Sequence, residues 1–281
     1  MKTATSKDGT RIAYDRVGQG PVVIPVTGAL GVRYRDLSEG IVGQLAPHFT
    51  VINYDRRGRG DSGDTLPYTV DREIEDIEAL IDAAGGSAYL YGMSSGAVLA
   101  LDAANKLSGK VSKLAMYEPP FIIDGGRPPV PADYVAQLNA AIAAGKPGDA
   151  VEIFMTKALL IPAEFVAHMR NAPMRESFAE GVKPPEWAEM EAVAHTLAYD
   201  GTIMGTLMSG KPLPTNRWVH ITADTLVITG GNSEPFFHDG AEALATLLPK
   251  ARHYVLEGQD HAVAAEALAP VLTKFFTEGK A

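Results

Sequence analysis

A serine between two glycines, Gly92-Met93-Ser94-Ser95-Gly96, sits between the apolar run Tyr89-Leu90-Tyr91 and a strongly helical stretch from Val98 to Leu107. A hydroxyl becomes a useful nucleophile when a sharp strand-to-helix turn thrusts it clear of the backbone beside N–H donors. Ser94 is therefore the candidate nucleophile, and Gly92 and Gly96 have a steric reason to lack side chains, since the turn is tight and the new helix passes close to its neighbours. A second chemical feature is Glu118, which follows the run Met116-Tyr117 and precedes Pro119-Pro120. Two consecutive prolines fix the path by which the chain leaves that carboxylate. The sequence has no cysteine, which excludes a thiolate nucleophile, thiolate metal sites and disulfides. No two histidines recur at helical spacing with a carboxylate between them, so no metal site is expected, and no cofactor is called for.

The elements that must position these residues follow from periodicity. Val22-Val23-Ile24-Pro25-Val26 and Phe49-Thr50-Val51-Ile52-Asn53-Tyr54 are buried-strand patterns, and two short extended pieces around Asp8-Gly9 precede them. The first strand ends at the turn Thr27-Gly28-Ala29-Leu30-Gly31, and a helix is expected from Arg35 to Ala46. Val70, Ile74, Ile77 and Ile81 recur at helical spacing among charged residues, which predicts one amphipathic helix packed on a core. A strand over Ser87 to Tyr91, a helix over Ser94 to Leu107 and a strand over Lys113 to Tyr117 continue the alternation. Right-handed crossovers turn such alternation into a largely parallel sheet, so the fold class is α/β. From Pro119 the texture changes: 12 of the 19 prolines fall between Pro119 and Pro214 and separate short helical patterns. Alternation resumes with a strand at Thr225 to Thr229, a helix around Ala241 to Leu248, a strand at His253 to Leu256 and a helix from Ala262 to Phe276. Residues 1–120 and 221–281 are thus read as one core, with residues 121–220 as a helical cap inserted into it.

In this order of parts the chain resembles the α/β-hydrolase superfamily over nearly its whole length. The pattern Gly92 to Gly96 looks like the family's nucleophile elbow, Asp55-Arg56-Arg57-Gly58-Arg59-Gly60-Asp61-Ser62 like the loop after the preceding strand, and Asp260-His261 like its histidine loop. The resemblance implies a mostly parallel eight-stranded sheet with helices on both faces, His261 as the base that takes the Ser94 proton, and oxyanion donors at the N–H of Ser95 and Ala29. Thr27 stands where many relatives carry histidine. The usual acid site reads Gly230-Gly231-Asn232-Ser233-Glu234-Pro235, without the expected aspartate. Glu234 is one candidate for the acid. Glu118 is the other and is preferred, because some enzymes of this fold place the acid after the strand that follows the nucleophile helix. Asp260 is a poor third, since an adjacent residue rarely points at its neighbour's ring. Asp55, Arg56 and Arg57 are read as structural.

A net charge of -9 leaves no excess of positive charge for nucleic acid or anionic lipid, and no apolar run approaches the ~20 residues of a membrane span. The chain reads as a soluble cytoplasmic protein acting on a small molecule, with room for a homodimer. A serine nucleophile argues against the dehalogenases and epoxide hydrolases of the fold, which use aspartate. It implies an acyl-enzyme formed from a carboxylic ester or lactone of small to medium size. Carbon–carbon bond hydrolysis, perhydrolysis and non-catalytic binding of a small ligand by a vestigial triad are the alternatives. Phe154, Met155, Phe165, Met169, Met174, Trp187, Met190, Met204 and Met208 suggest apolar cap walls or, more simply, the cap's own core.

Overall fold

The computed structural model describes residues 1–33, 40–171 and 187–279. Eight strands form one sheet: β1 (Lys2–Thr5), β2 (Arg11–Val17), β3 (Val22–Val26), β4 (Thr50–Tyr54), β5 (Ala88–Met93), β6 (Val111–Tyr117), β7 (Asp224–Gly230) and β8 (Ala251–Leu256). Their spatial order is β1-β2-β4-β3-β5-β6-β7-β8. β1 pairs antiparallel with β2, and β2 with β4, while every later pairing is parallel. The fold is α/β with a mostly parallel sheet.

Burial explains the strand sequences. All five residues of β4 are buried, and β3 is buried except for Val22, as expected of strands covered on both faces. On one face α2 (Val70–Ala84), α3 (Ser95–Lys106) and α9 (Pro235–Leu247) pack Ile77, Ala97, Leu101 and Leu244 against Ile24, Leu90 and Met116. On the other, α1 (Ile41–Leu45) and α10 (Ala265–Thr277) pack Val42, Leu45, Leu272 and Phe276 against Val23, Val51 and Tyr91. Thr69 caps α2 by accepting from the Arg72 N–H at 3.3 Å.

Between β6 and β7 the described residues form no strand. They hold α4 (Tyr134–Ala143), α5 (Pro147–Ile153), α6 (Ala163–Asn171), α7 (Trp187–Ala192) and α8 (Leu197–Met204). These share an apolar cluster that includes Leu138, Val151, Met155, Val166, Met190 and Leu197, joined by Leu30 and Val32 from the loop after β3. Met155, Met169, Met190, Met204 and Met208 are buried, whereas Phe165 is exposed. Met174 lies outside the described residues.

Three helices start three or more residues from where the sequence pattern places them, while the strands shift by at most two. The first helix covers Ile41–Leu45 rather than Arg35 to Ala46, and 35–39 lie outside the described residues. α9 starts at Pro235, six residues before Ala241, because proline at a first helical position loses no bond. Gly240, which hides the pattern, is needed inside that helix: a Cβ there would lie 2.9 Å from the Phe121 side chain. α10 starts at Ala265, since the N–H groups of Ala262 and Ala264 are taken by the side chains of Asp260 and Gln259, each at 2.9 Å.

The elbow glycines are sterically required. A Cβ on Gly96 would lie 2.3 Å from the Val26 carbonyl oxygen and 2.4 Å from that of Thr27, while one on Gly92 would lie 2.5 Å from Ala97 Cα. Because these obstacles are backbone atoms, Gly96→Ala is expected to destabilise the fold by roughly 1–3 kcal/mol, in the range for overpacking. The check is the urea midpoint, and an unchanged midpoint would contradict the packing described.

Candidate active site

Ser94 stands between β5 and α3 with φ 55° and ψ −129°. A non-glycine residue takes such a backbone only when its surroundings enforce it. Here the enforcement comes from the Ser94 N–H, which donates to the Tyr117 carbonyl of β6 at 2.9 Å, and from the two glycines. The loop after β3 closes on the same point: a Cβ on Gly28 would lie 3.0 Å from Ser94 Cβ and 3.6 Å from its Oγ. Ser95 is the first residue of α3, so its N–H has no carbonyl one turn back, and the positive end of the helix dipole adds to it. Ala29 follows Gly28 in the neighbouring loop. The fold thus brings the region of both expected oxyanion donors to Ser94.

The carboxylate and the imidazole meet at the ends of β6 and β8. Glu118 is fully buried at φ 47°, and its Oε2 lies 2.7 Å from His261 Nδ1. The register that pairs Tyr117 with Ile228 sets Glu118 beside the end of β7. There its N–H donates to Ile228 O at 2.9 Å, and Oε1 accepts the Gly230 N–H at 2.8 Å as well as the Ser233 hydroxyl. With Oε2 placed to accept from Nδ1–H, the ring is oriented so that Nε2 is the nitrogen that can take a proton. The Phe237 ring stacks on His261, with centroids 4.9 Å apart. Tyr117 donates its hydroxyl to the Asp260 carbonyl at 2.6 Å, and burial, then Glu118, pushes its phenol pKa up, so it remains a neutral donor.

Glu234 and Asp260 are placed elsewhere. Glu234 is 63% exposed and faces Arg127, 3.7 Å away. The Asp260 carboxylate accepts the Ala262 N–H. His253 lies within β8 and His238 in the first turn of α9, both bonded to the Thr229 hydroxyl. His195 sits 3.6 Å from Asp64. Among the described residues no group of His, Asp or Glu could hold a metal ion, and no helix is long and apolar enough to cross a membrane.

The loop after β4 is a buried ionic lattice. Arg57 makes two bonds of 2.7 Å to Asp76, and Arg56 bonds Glu73 at 2.5 and 3.0 Å. Asp200 of α8 receives Arg56 at 2.7 Å, Arg59 at 2.6 Å and the Ser95 hydroxyl at 2.7 Å. Burial works against charge on Asp200, but Arg56 and Arg59 outweigh it and hold its carboxyl below the ordinary aspartate range. Sequence reasoning missed Asp200, Arg59, Ser233 and Phe237. The one available signal for Asp200 was a lone carboxylate in the otherwise uncharged run Leu197-Ala198-Tyr199-Asp200-Gly201.

A parallel sheet with a strained serine after its fifth strand, a buried acid after its sixth and a histidine after its last defines a class of α/β protein. The chain belongs to the alpha/beta hydrolase family, whose model matches residues 10–271. An alpha/beta hydrolase from Sphaerobacter thermophilus is 50% identical, with a TM-score of 0.85 over 98% of this chain and 100% of that one. An enol-lactonase from Burkholderia xenovorans shares the fold at 18% identity and a TM-score of 0.69, covering 99% and 100% of the two chains. An uncharacterised hydrolase of Bacillus subtilis is 32% identical over 115 residues, which span 40% of this chain and 42% of that relative.

The geometry separates the two candidate acids by experiment. Glu118→Gln is expected to lower turnover of an activated ester by about 10⁴, as loss of an orienting carboxylate does, while Glu234→Gln leaves it near wild type. Steady-state rates check this, and a larger loss from Glu234→Gln would overturn the assignment.

Proposed function

We propose that the protein is a serine hydrolase that cleaves a carboxylic ester or lactone of a small to medium apolar substrate. The observation that carries this reading is the 2.7 Å contact between fully buried Glu118 and His261 Nδ1, on the same sheet edge as a serine held at φ 55°. His261 Nε2 removes the Ser94 proton as Oγ attacks the carbonyl carbon. The resulting oxyanion is held by the N–H groups of Ser95 and Ala29. The protonated imidazole, stabilised by Glu118, then delivers its proton to the departing alkoxide, leaving an acyl-enzyme on Ser94. Water, deprotonated by His261, adds to the acyl carbon and releases the acid with Ser94 regenerated. In a lactone the leaving alkoxide stays attached to the acyl group, so a single hydroxy acid is released.

The hydrogen-bonding of Glu118 supports this reading, because it holds the carboxylate rigidly against Nδ1, as an orienting acid requires. The enol-lactonase among the structural neighbours supports the lactone branch at the level of the fold. The reaction calls on no cofactor, and an acidic chain suits a small-molecule substrate better than a polyanion. The core of residues 1–120 and 221–281 supplies every group in the reaction, and the described helices between β6 and β7 are read as its cap.

A fluorophosphonate probe tests the nucleophile. Wild-type protein is expected to label stoichiometrically and Ser94→Ala to show no labelling, with both variants folded by circular dichroism. Equal labelling of the two, or none of the folded wild type, would remove Ser94 from the reaction.

A further inference from the structure

Helix α8, between β6 and β7, contributes one carboxylate that bonds the residue next to Ser94. Asp200 is buried, and its carboxylate serves both α3 directly and, through two arginines, the loop after β3. Oδ1 accepts the Ser95 hydroxyl at 2.7 Å and Arg56 Nη1 at 2.7 Å; Oδ2 accepts Arg59 Nη2 at 2.6 Å. The same two guanidiniums reach on to the loop after β3. Arg56 Nη1 donates to the Thr27 carbonyl at 3.1 Å, and Arg59 Nη1 to the carbonyls of Gly28 at 2.6 Å and Gly31 at 3.3 Å. Arg59 also donates its Nε to the Thr196 hydroxyl at 3.1 Å, so nearly its whole fork is spoken for.

The Gly28 contact has a consequence through the planar peptide. The carbonyl of Gly28 and the N–H of Ala29 belong to one trans unit and point in opposite directions. Anchoring the oxygen on Arg59 therefore fixes the direction of the Ala29 N–H. A cationic donor on that oxygen also polarises the peptide, and so strengthens the N–H as a donor. On the other side, the Ser95 hydroxyl ties the first residue of α3, and hence its N–H, to the same carboxylate.

We propose that Asp200 is a positioning residue for the oxyanion hole: through Arg59 and Gly28 it aims the Ala29 N–H, and through the Ser95 hydroxyl it holds the Ser95 N–H at a set distance from it. Asp200 touches no reacting atom and acts through its partners. Transition-state stabilisation thereby depends on the docking of α8, since a preorganised donor pair is worth most when it need not rearrange as charge develops. This rests on the assignment of Ala29 and Ser95 as donors and of Ser94 as nucleophile.

The test compares wild type, Asp200→Asn and Arg59→Lys. Two inhibitors of one shape are used: a trifluoromethyl ketone, which adds to Ser94 to give an anionic hemiketal, and the matching methyl ketone, which binds without adding. Asp200→Asn is expected to lower kcat/KM on an activated ester and affinity for the trifluoromethyl ketone by a common factor of about 10², comparable with loss of one oxyanion donor. Methyl ketone affinity should stay at the wild-type value. Arg59→Lys keeps the charge but cannot reproduce the planar fork, and is expected to shift the same two quantities in the same direction; it carries the test should Asp200→Asn lose its cooperative melt. Wild-type kcat/KM in a folded variant, or equal loss of affinity for both ketones, would overturn the positioning role while leaving Ser94 as nucleophile. A wild-type protein inert to both the trifluoromethyl ketone and the ester would overturn the Ser94 reading and this inference with it.

Discussion

A serine held at φ 55° is the constraint around which the rest of the molecule is arranged. That backbone costs free energy of order 1–3 kcal/mol and survives only where the surroundings over-determine it. The surroundings do so from three directions. β5 and β6 pair in parallel up to Met93 and Tyr117, which delivers the Tyr117 carbonyl to the Ser94 N–H. α3 departs so closely over β3 that Gly96 has no room for a methyl group, and the loop after β3 returns so near that Gly28 faces Ser94. The next pairing, of β6 with β7, seats Glu118 beside the end of β7, where it reaches the imidazole. Strain at one residue and the assembly of the site are therefore products of two adjoining registers that share β6.

A second arrangement supports the first. Three arginines of the loop after β4 are buried, and each buried cation needs a fixed carboxylate to offset the cost of leaving water. Asp76 and Glu73 come from α2, and Asp200 comes from α8. Such pairs add little net stability over well-packed apolar groups, but breaking one leaves an uncompensated charge, so they act as strict registration devices. The Tyr68 and Tyr199 rings, stacked 3.8 Å apart, and the bond of 2.7 Å from Tyr199 to Asp64 bind the same stretch of α8 to the same loop. The helical segment is thus fastened to the sheet at the point where it can influence Thr27 to Ala29.

Much of this was legible from residues alone. The strand-helix alternation and the glycines about Ser94 rest on local patterns, which survive translation into three dimensions, whereas His261 was singled out by the family resemblance. The choice between Glu118 and Glu234 was not legible to the same degree, because both precede proline in the turn beyond a strand. Only the pairing of Tyr117 with Ile228 shows that Glu118 is the carboxylate that turns inward. Asp200 was illegible for a stronger reason: its partners Arg56, Arg59 and Ser95 lie 144, 141 and 105 residues away. Phe237 was concealed by Gly240, which interrupts the apolar period of α9 although the helix runs straight through it.

The central claim is that chemistry passes through a covalent ester on Ser94, and rapid-quench mass spectrometry tests it most directly. Mixing the protein with excess activated ester and quenching in acid within the first turnover should show the enzyme heavier by one acyl group, with the increment on the peptide containing Ser94 and absent from Ser94→Ala. Turnover by an enzyme that stays unmodified at every quench time, or an acyl group found on another residue, would contradict the account.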